Sequence, residues 1–243
     1  MSFKENLLVV IPARGGSKRI PNKNLKLING QPMIYWPLMI INQIVKANKV
    51  IVSTDSKNIK KAVENKGLKV PFIRPKSLSD DFTGTVPVVK HALSWYEKNI
   101  QKIDYVLTVY PTAVMLSKKD ILIAMKTLKD NAKCDTVMSA THFPFPIQRA
   151  VYKNNNGFAK MFEPKNYSKR SQDLKESMHD AGQFYLSKAN AVRRGALITN
   201  SNIKLHLINR NYVIDIDNLE DFEVAEEKLK LYKKKINIKN WKF

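Results

Sequence analysis

Five consecutive apolar residues, 7–11, run without a break into Pro12-Ala13-Arg14-Gly15-Gly16-Ser17-Lys18-Arg19 and on to Lys23 and Asn24. So short a wholly apolar run reads as a strand buried on both faces, as the strands of a parallel sheet are. Gly15 and Gly16 carry no Cβ, so their N–H groups can approach an anion closely. Arg14, Lys18, Arg19 and Lys23 place four cations within ten residues, enough to neutralise a triphosphate. Loops at the carboxyl ends of parallel strands are where α/β sheets bind ligands. The loop fits neither G-x-x-x-x-G-K-[ST] nor G-x-G-x-x-G, which argues against a P-loop ATPase and a dinucleotide oxidoreductase.

The rest of the chain alternates short apolar runs with segments of helical period, the signature of βαβ units around a mostly parallel sheet. Strands are expected over residues 50–53, 105–110 and 135–140, with a last one over 212–216. Asp55 or Ser56 can cap a helix carrying Ile59, Ala62 and Val63 and ended by Gly67. A second helix starts at Thr85, and Ser117 with Asp120 forms a capping box for a third. Asn218 with Asp221 opens a final helix with Phe222, Ala225, Leu229 and Tyr232 on one face. Pro37, inside the helix expected from Pro32 onward, should kink it. Residues 141–182 are loop-rich, with a hairpin signal (150–152 and 158–162 around Asn155-Asn156-Gly157). They read as an insertion on a single domain spanning residues 1–243.

Composition narrows the partners. The formal net charge is +21, which favours anionic ligands. Much of it is lysine scattered over solvent faces, with seven lysines and no acid from Lys228 to the end. No nucleic-acid module signature appears, so the expected partner is a small anion, and a basic nucleic-acid binder is the alternative from a different class. No stretch of 18 uncharged apolar residues exists. No signal-peptide cleavage pattern precedes the first strand, and the single cysteine, Cys134, excludes an intramolecular disulfide framework. A cytoplasmic protein without membrane contact is expected.

The second chemical signal is Val213-Ile214-Asp215-Ile216-Asp217. Alternation would put Asp215 and Asp217 on one face of a strand. Paired carboxylates need a cation between them, and Mg²⁺ bound also to phosphate oxygens suits the site.

These residues resemble a family. The run 11–24, Arg74-Pro75 with Asp80-Asp81-Phe82-Thr83-Gly84-Thr85, Tyr110-Pro111-Thr112 and the Asp215–Asp217 pair are similar to the CMP-sialic acid synthetases, in order along about residues 6–225. Phe145-Pro146-Ile147-Gln148-Arg149, Arg170-Ser171-Gln172-Asp173-Leu174 and His179-Asp180-Ala181-Gly182-Gln183-Phe184-Tyr185 resemble the branch of that family acting on pseudaminic acid. The resemblance implies a Rossmann-like α/β nucleotidyltransferase fold, a small hairpin-containing dimerisation insertion, a homodimer, and a need for CTP and Mg²⁺, with Mn²⁺ an open substitute. It implies a nucleotide site of Arg14, Gly15, Gly16, Ser17, Arg19, Lys23, Asn24, Arg74 and Thr83. It also implies a site for an acidic nine-carbon sugar made of Tyr110, Gln148, Arg149, Arg170, Gln172, His179, Asp180, Gln183 and Tyr185. Asp215 and Asp217 would hold the metal, while Arg14 and Lys23 stabilise the leaving pyrophosphate. Asp217 would assist loss of the sugar's proton. Relatives acting on neuraminate have glutamine where this chain has Tyr110, and a lysine after a His-Pro step where it has Gln148 and Arg149. Both departures point away from neuraminate; legionaminate stays open.

His91 is expected to be structural, and Cys134 half-buried and inert. Trp36, Trp95 and Trp241 are expected to serve packing, and the tail after Lys228 to be a solvated helix end.

Overall fold

The computed structural model describes residues 6–198 and 200–235; Trp241 and the tail from residue 236 lie outside them. The strands are β1 (Leu7–Pro12), β2 (Leu27–Ile28), β3 (Gln31–Pro32), β4 (Val50–Ser53), β5 (Tyr105–Val109), β6 (Thr136–His142), β7 (Val151–Lys153), β8 (Ala159–Met161), β9 (Met178–Lys188) and β10 (Ile203–Leu207). The helices are α1 (Tyr35–Ile41), α2 (Lys57–Glu64), α3 (Thr85–Asn99), α4 (Lys118–Lys129), α5 (Ala189–Arg193) and α6 (Leu219–Lys235).

Six strands form the central sheet in the order β10-β6-β9-β5-β1-β4. β1 runs parallel to both β4 and β5, and β10 runs parallel to β6, but β9 is antiparallel to both its neighbours. β1 is buried on both faces, as its unbroken apolar run requires. Leu7, Val9 and Ile11 pack with α1, α2 and α4, while Leu8 and Val10 pack with α3 and α5. A third cluster joins Phe222, Ala225, Leu229 and Tyr232 of α6 to Trp36, Met39 and Ile216.

The helix starts follow their caps. Ser56 accepts from the Ile59 amide and Ser117 from the Asp120 amide. Asn218 accepts from the Asp221 amide while Asp221 accepts from those of Asp217 and Asn218, a reciprocal cap. Gly67 adopts φ 77° after α2, a conformation glycine takes without steric cost.

Four expectations are corrected. Pro37 does not kink a helix: α1 starts at Tyr35, so Pro37 lies in the first turn, where a missing N–H costs little. Residues 213–217 form no strand but an extended segment after a 3₁₀ turn, Arg210–Tyr212. The sheet edge they would have taken belongs to β10. β9 starts at Met178, inside the stretch assigned to the insertion, so the segment outside the sheet runs from residue 143 to 177 and carries the β7–β8 hairpin. Cys134 is fully buried rather than half-buried, its Sγ against the Thr136 carbonyl.

Candidate active site

One cleft of about 690 Å³ opens at the carboxyl edge of the sheet. The loop after β1 supplies Arg14, Ser17, Lys18, Arg19, Lys23 and Asn24; the loop before α3 supplies Asp81, Thr83 and Gly84; Asp215 closes one end. Because β9 runs against its neighbours, its first residues lie at the same edge as the carboxyl ends of β5 and β6. His179, Asp180, Ala181, Gly182 and Tyr185 therefore join Tyr110, Pro111 and Thr112 in the wall.

Gly15 and Gly16 are not in the lining; they shape the loop. The Gly15 amide donates to Asp55 Oδ1 at 2.8 Å, and a Cβ on Gly15 would stand 2.8 Å from that of Ser56. Arg74 is 5% exposed, its guanidinium near Asp55 at 3.7 Å and donating to Ser79 at 3.2 Å. Burial lowers its pKa, against the opposing charge of Asp55. Arg74 Nη2 and Asn24 Oδ1 are both buried without a hydrogen-bond partner and belong to cleft residues. A buried donor and a buried acceptor left without a hydrogen bond at a cleft are what a ligand with complementary polar edges satisfies.

The charges form two ends. Asp81 takes Arg14 at 2.8 Å and Lys18 at 2.5 Å, and these cations hold its carboxyl below the usual range. At the other end Arg19 pairs with Asp217 at 2.7 Å, and Lys23 donates to the Ile216 carbonyl at 2.6 Å. Burial lowers the Lys23 pKa while Asp217 and Asp215 oppose the fall. Burial, with the like charge of Asp217, raises that of Asp215. Five cations and three carboxylates line the cleft.

Several expected residues lie elsewhere. Asp217 flanks the cleft without lining it, with its side chain on Arg19. Gln183 is buried and ties its amide to the Tyr212 carbonyl at 2.7 Å, supporting the segment that carries Asp215. Gln148 donates to the Lys175 carbonyl and Ser177, and Arg149 to Ser171 and the Lys169 carbonyl, so both hold the insertion's own loops. Gln172 is exposed, and Arg170 pairs with Asp173 three residues on at 2.8 Å. None of these four insertion residues reaches the cleft of its own chain. His91 meets Phe72 edge-on at 4.7 Å, a packing role. Asp55 and Asp81 had no assigned site role from sequence; each follows the carboxyl end of a strand or precedes α3, and only the positions of those loops single them out.

The topology, with a basic loop after β1 facing Asp215 across an open cleft, defines an α/β nucleotidyltransferase. The chain belongs to the cytidylyltransferase family, whose profile matches residues 8–238. It is 37% identical over 219 residues to the pseudaminic acid cytidylyltransferase of Campylobacter jejuni subsp. jejuni serotype O:2, covering 90% of this chain and 94% of that one. It is 27% identical to the CMP-N,N'-diacetyllegionaminic acid synthase of Legionella pneumophila, covering 93% and 97%. Among solved structures, CMP:2-keto-3-deoxy-manno-octonic acid synthetase complexed with CTP shares the fold at TM-score 0.68 and 18% identity, over 93% of this chain and 98% of the other.

Proposed function

We propose that the chain joins CMP from CTP to the anomeric hydroxyl of pseudaminic acid, an acidic nine-carbon keto-sugar, and releases pyrophosphate. The observation that carries this reading is that a single cleft is lined by the basic loop, by Asp215 and by the His179–Tyr185 stretch. A polyphosphate and a second substrate can therefore meet in one place in a member of the cytidylyltransferase family. Arg14, Ser17, Lys18 and Lys23 take the phosphates, and Asp81 gives up its cations as they arrive. Arg74 Nη2 and Asn24 Oδ1 face the nucleoside. Positioning and charge neutralisation do most of the work in such transfers.

Magnesium, with manganese as substitute, belongs to the proposal. The half-buried Asp215 carboxylate beside Asp217 is held up in pKa, and a cation there relieves the repulsion. Such an ion supplies charge neutralisation on phosphate oxygens when bound. Lys23 keeps the segment in place through the Ile216 carbonyl.

The chain is further proposed to act as a homodimer. Phe145, Phe158, Phe162 and Tyr167 of the insertion are 67–80% exposed, large apolar side chains that suit an interaction surface. Pairing through it is the route by which a partner's insertion could bring cationic side chains to a cleft that Arg170 of the same chain does not reach.

Among the described residues no helix is long and apolar enough to cross a membrane.

The test is pyrophosphate release with CTP, Mg²⁺ and a panel of nonulosonic acids, with ATP, GTP and UTP as controls. Release with CTP and pseudaminic acid alone is expected. Release with legionaminic acid instead would move the substrate assignment. Silence from protein that binds no CTP, together with a steep salt dependence of oligonucleotide affinity, would favour a nucleic-acid binder.

A further inference from the structure

Transfer of CMP requires that the sugar's anomeric hydroxyl lose a proton. The candidates are the carboxylates that line the cleft, Asp81, Asp180 and Asp215. Asp81 is held by Arg14 and Lys18 at the phosphate end. Asp215 faces Lys23 and Asp217, where two acids and a lysine share one charge environment. Asp180 differs: no described cation pairs with it, it is open to solvent, and it comes from β9 rather than from the charged loops.

The position of Asp180 is built by an irregularity in the sheet. Between Met138 and Ala140 of β6 the register shifts, so that Met138 stands opposite Tyr185 while Ala140 stands opposite Asp180. The extra residues of β9 bulge, with Gly182 at φ 62°, and the Phe184 amide turns to Ser139 Oγ at 3.0 Å. Bulges beside active sites re-aim side chains. Here the Gly182 amide donates to Asp180 Oδ1 at 2.8 Å, and the Tyr185 hydroxyl donates to Oδ2. Tyr185 is itself buried against Tyr110, with ring centroids 5.8 Å apart, and Tyr110 bonds Thr85 at 2.7 Å. Both oxygens of an exposed carboxylate are thus fixed, Oδ1 by the Gly182 amide and Oδ2 by a tyrosine packed on the Tyr110–Thr85 pair at the start of α3. The negative charges of Asp180 and Asp215 both act on the Tyr110 hydroxyl.

We infer that Asp180 is the proton acceptor for the attacking hydroxyl, positioned by Gly182 and Tyr185. This rests on the cytidylyl-transfer reading above. As the O–H bond breaks, the proton passes to the Asp180 carboxylate and the oxygen bonds to the α-phosphorus of CTP. The bond from α-phosphorus to its bridging oxygen breaks, and pyrophosphate leaves with the electron pair. Asp180 then returns the proton to solvent. Tyr185 is a positioning residue in this scheme.

The test is single-turnover pyrophosphate release by Asp180→Asn, which keeps the shape and the acceptor for Gly182 but cannot take the proton. The expected rate is lower by about 10²-fold or more, with CTP affinity and sugar KM unchanged; unchanged CTP affinity also reports an intact fold. In Asp180→Ala, added formate is expected to restore part of the rate. An Asp180→Asn rate within about threefold of the unsubstituted chain, or a defect confined to sugar KM, would overturn the assignment. An unsubstituted chain that binds CTP but releases no pyrophosphate with any acid in the panel would instead overturn the reading of the reaction.

Discussion

The Gly15 amide donates to Asp55 Oδ1 at 2.8 Å, which fastens the basic loop after β1 to the end of β4. The same carboxylate stands 3.7 Å from buried Arg74, so one acid holds both the basic loop and an arginine of the same cleft. Gly15 itself has no room for a side chain, since a Cβ would sit 2.8 Å from the Ser56 Cβ.

Gly15→Ala should therefore weaken CTP binding by about ten-fold or more, from overpacking strain of about 1–3 kcal/mol. Adding Ser56→Gly removes the atom in the way and should recover most of the affinity by calorimetric titration. No recovery would mean that the loop needs glycine for a reason other than that contact.

Asp217→Ala should lower kcat by about 10²-fold or more, if a carboxylate next to the metal site supplies about 3 kcal/mol at the transition state. Asp215→Asn should raise the Mg²⁺ concentration needed for half-maximal rate by at least ten-fold, and chelation should abolish turnover of the unsubstituted chain. Turnover that survives both Asp215→Asn and chelation would remove the metal from the scheme.

Stability should respond to pH through Glu97. Its side chain is 9% exposed, paired with Arg193 at 2.5 Å and accepting from the Ile103 amide at 3.0 Å. The Arg193 hydrogen bond is the main cause that holds its carboxyl below the ordinary range. A depressed folded pKa contributes stability that is present above the unfolded value of about 4.3 and is lost as pH falls through the folded one. Glu97→Gln should cost about 1–3 kcal/mol at neutral pH, lowering Tm by several degrees. The difference from the unsubstituted chain should shrink in thermal melts below about pH 4.5.

The insertion supplies a prediction on assembly. Phe158→Asp with Phe162→Asp should convert a dimer to monomer in sedimentation velocity and raise sugar KM, leaving CTP affinity unchanged. Arg170→Ala should raise sugar KM by about ten-fold, as loss of a charge-assisted contact would, without changing the sedimentation coefficient. A collapse of CTP affinity in Arg170→Ala would show that the roles are reversed.

What the sequence by itself determined is everything governed by local period, caps and turn chemistry. β1 with its basic loop, the capped helices α2, α4 and α6, the apolar face of α3, and the hairpin around Gly157 follow from neighbouring residues, because their hydrogen bonds and buried faces are set within a few positions. The tertiary structure alone decided which segments pair. Residues 213–217 alternate like a strand, but a strand needs an edge, and β10 holds the free side of β6 while Ile216 packs into the α6 cluster. β9 is interrupted by a glycine bulge and draws its partners from β5 and β6, dozens of residues away, so its local pattern is weak although it lies mid-sheet. Its reversed direction brings Asp180 and Tyr185 to the cleft and leaves Gln183 on the buried side. Alternation alone would group Gln183 with Tyr185 and set Asp180 apart, so the glycine bulge and the paired register decide which of them faces the ligand.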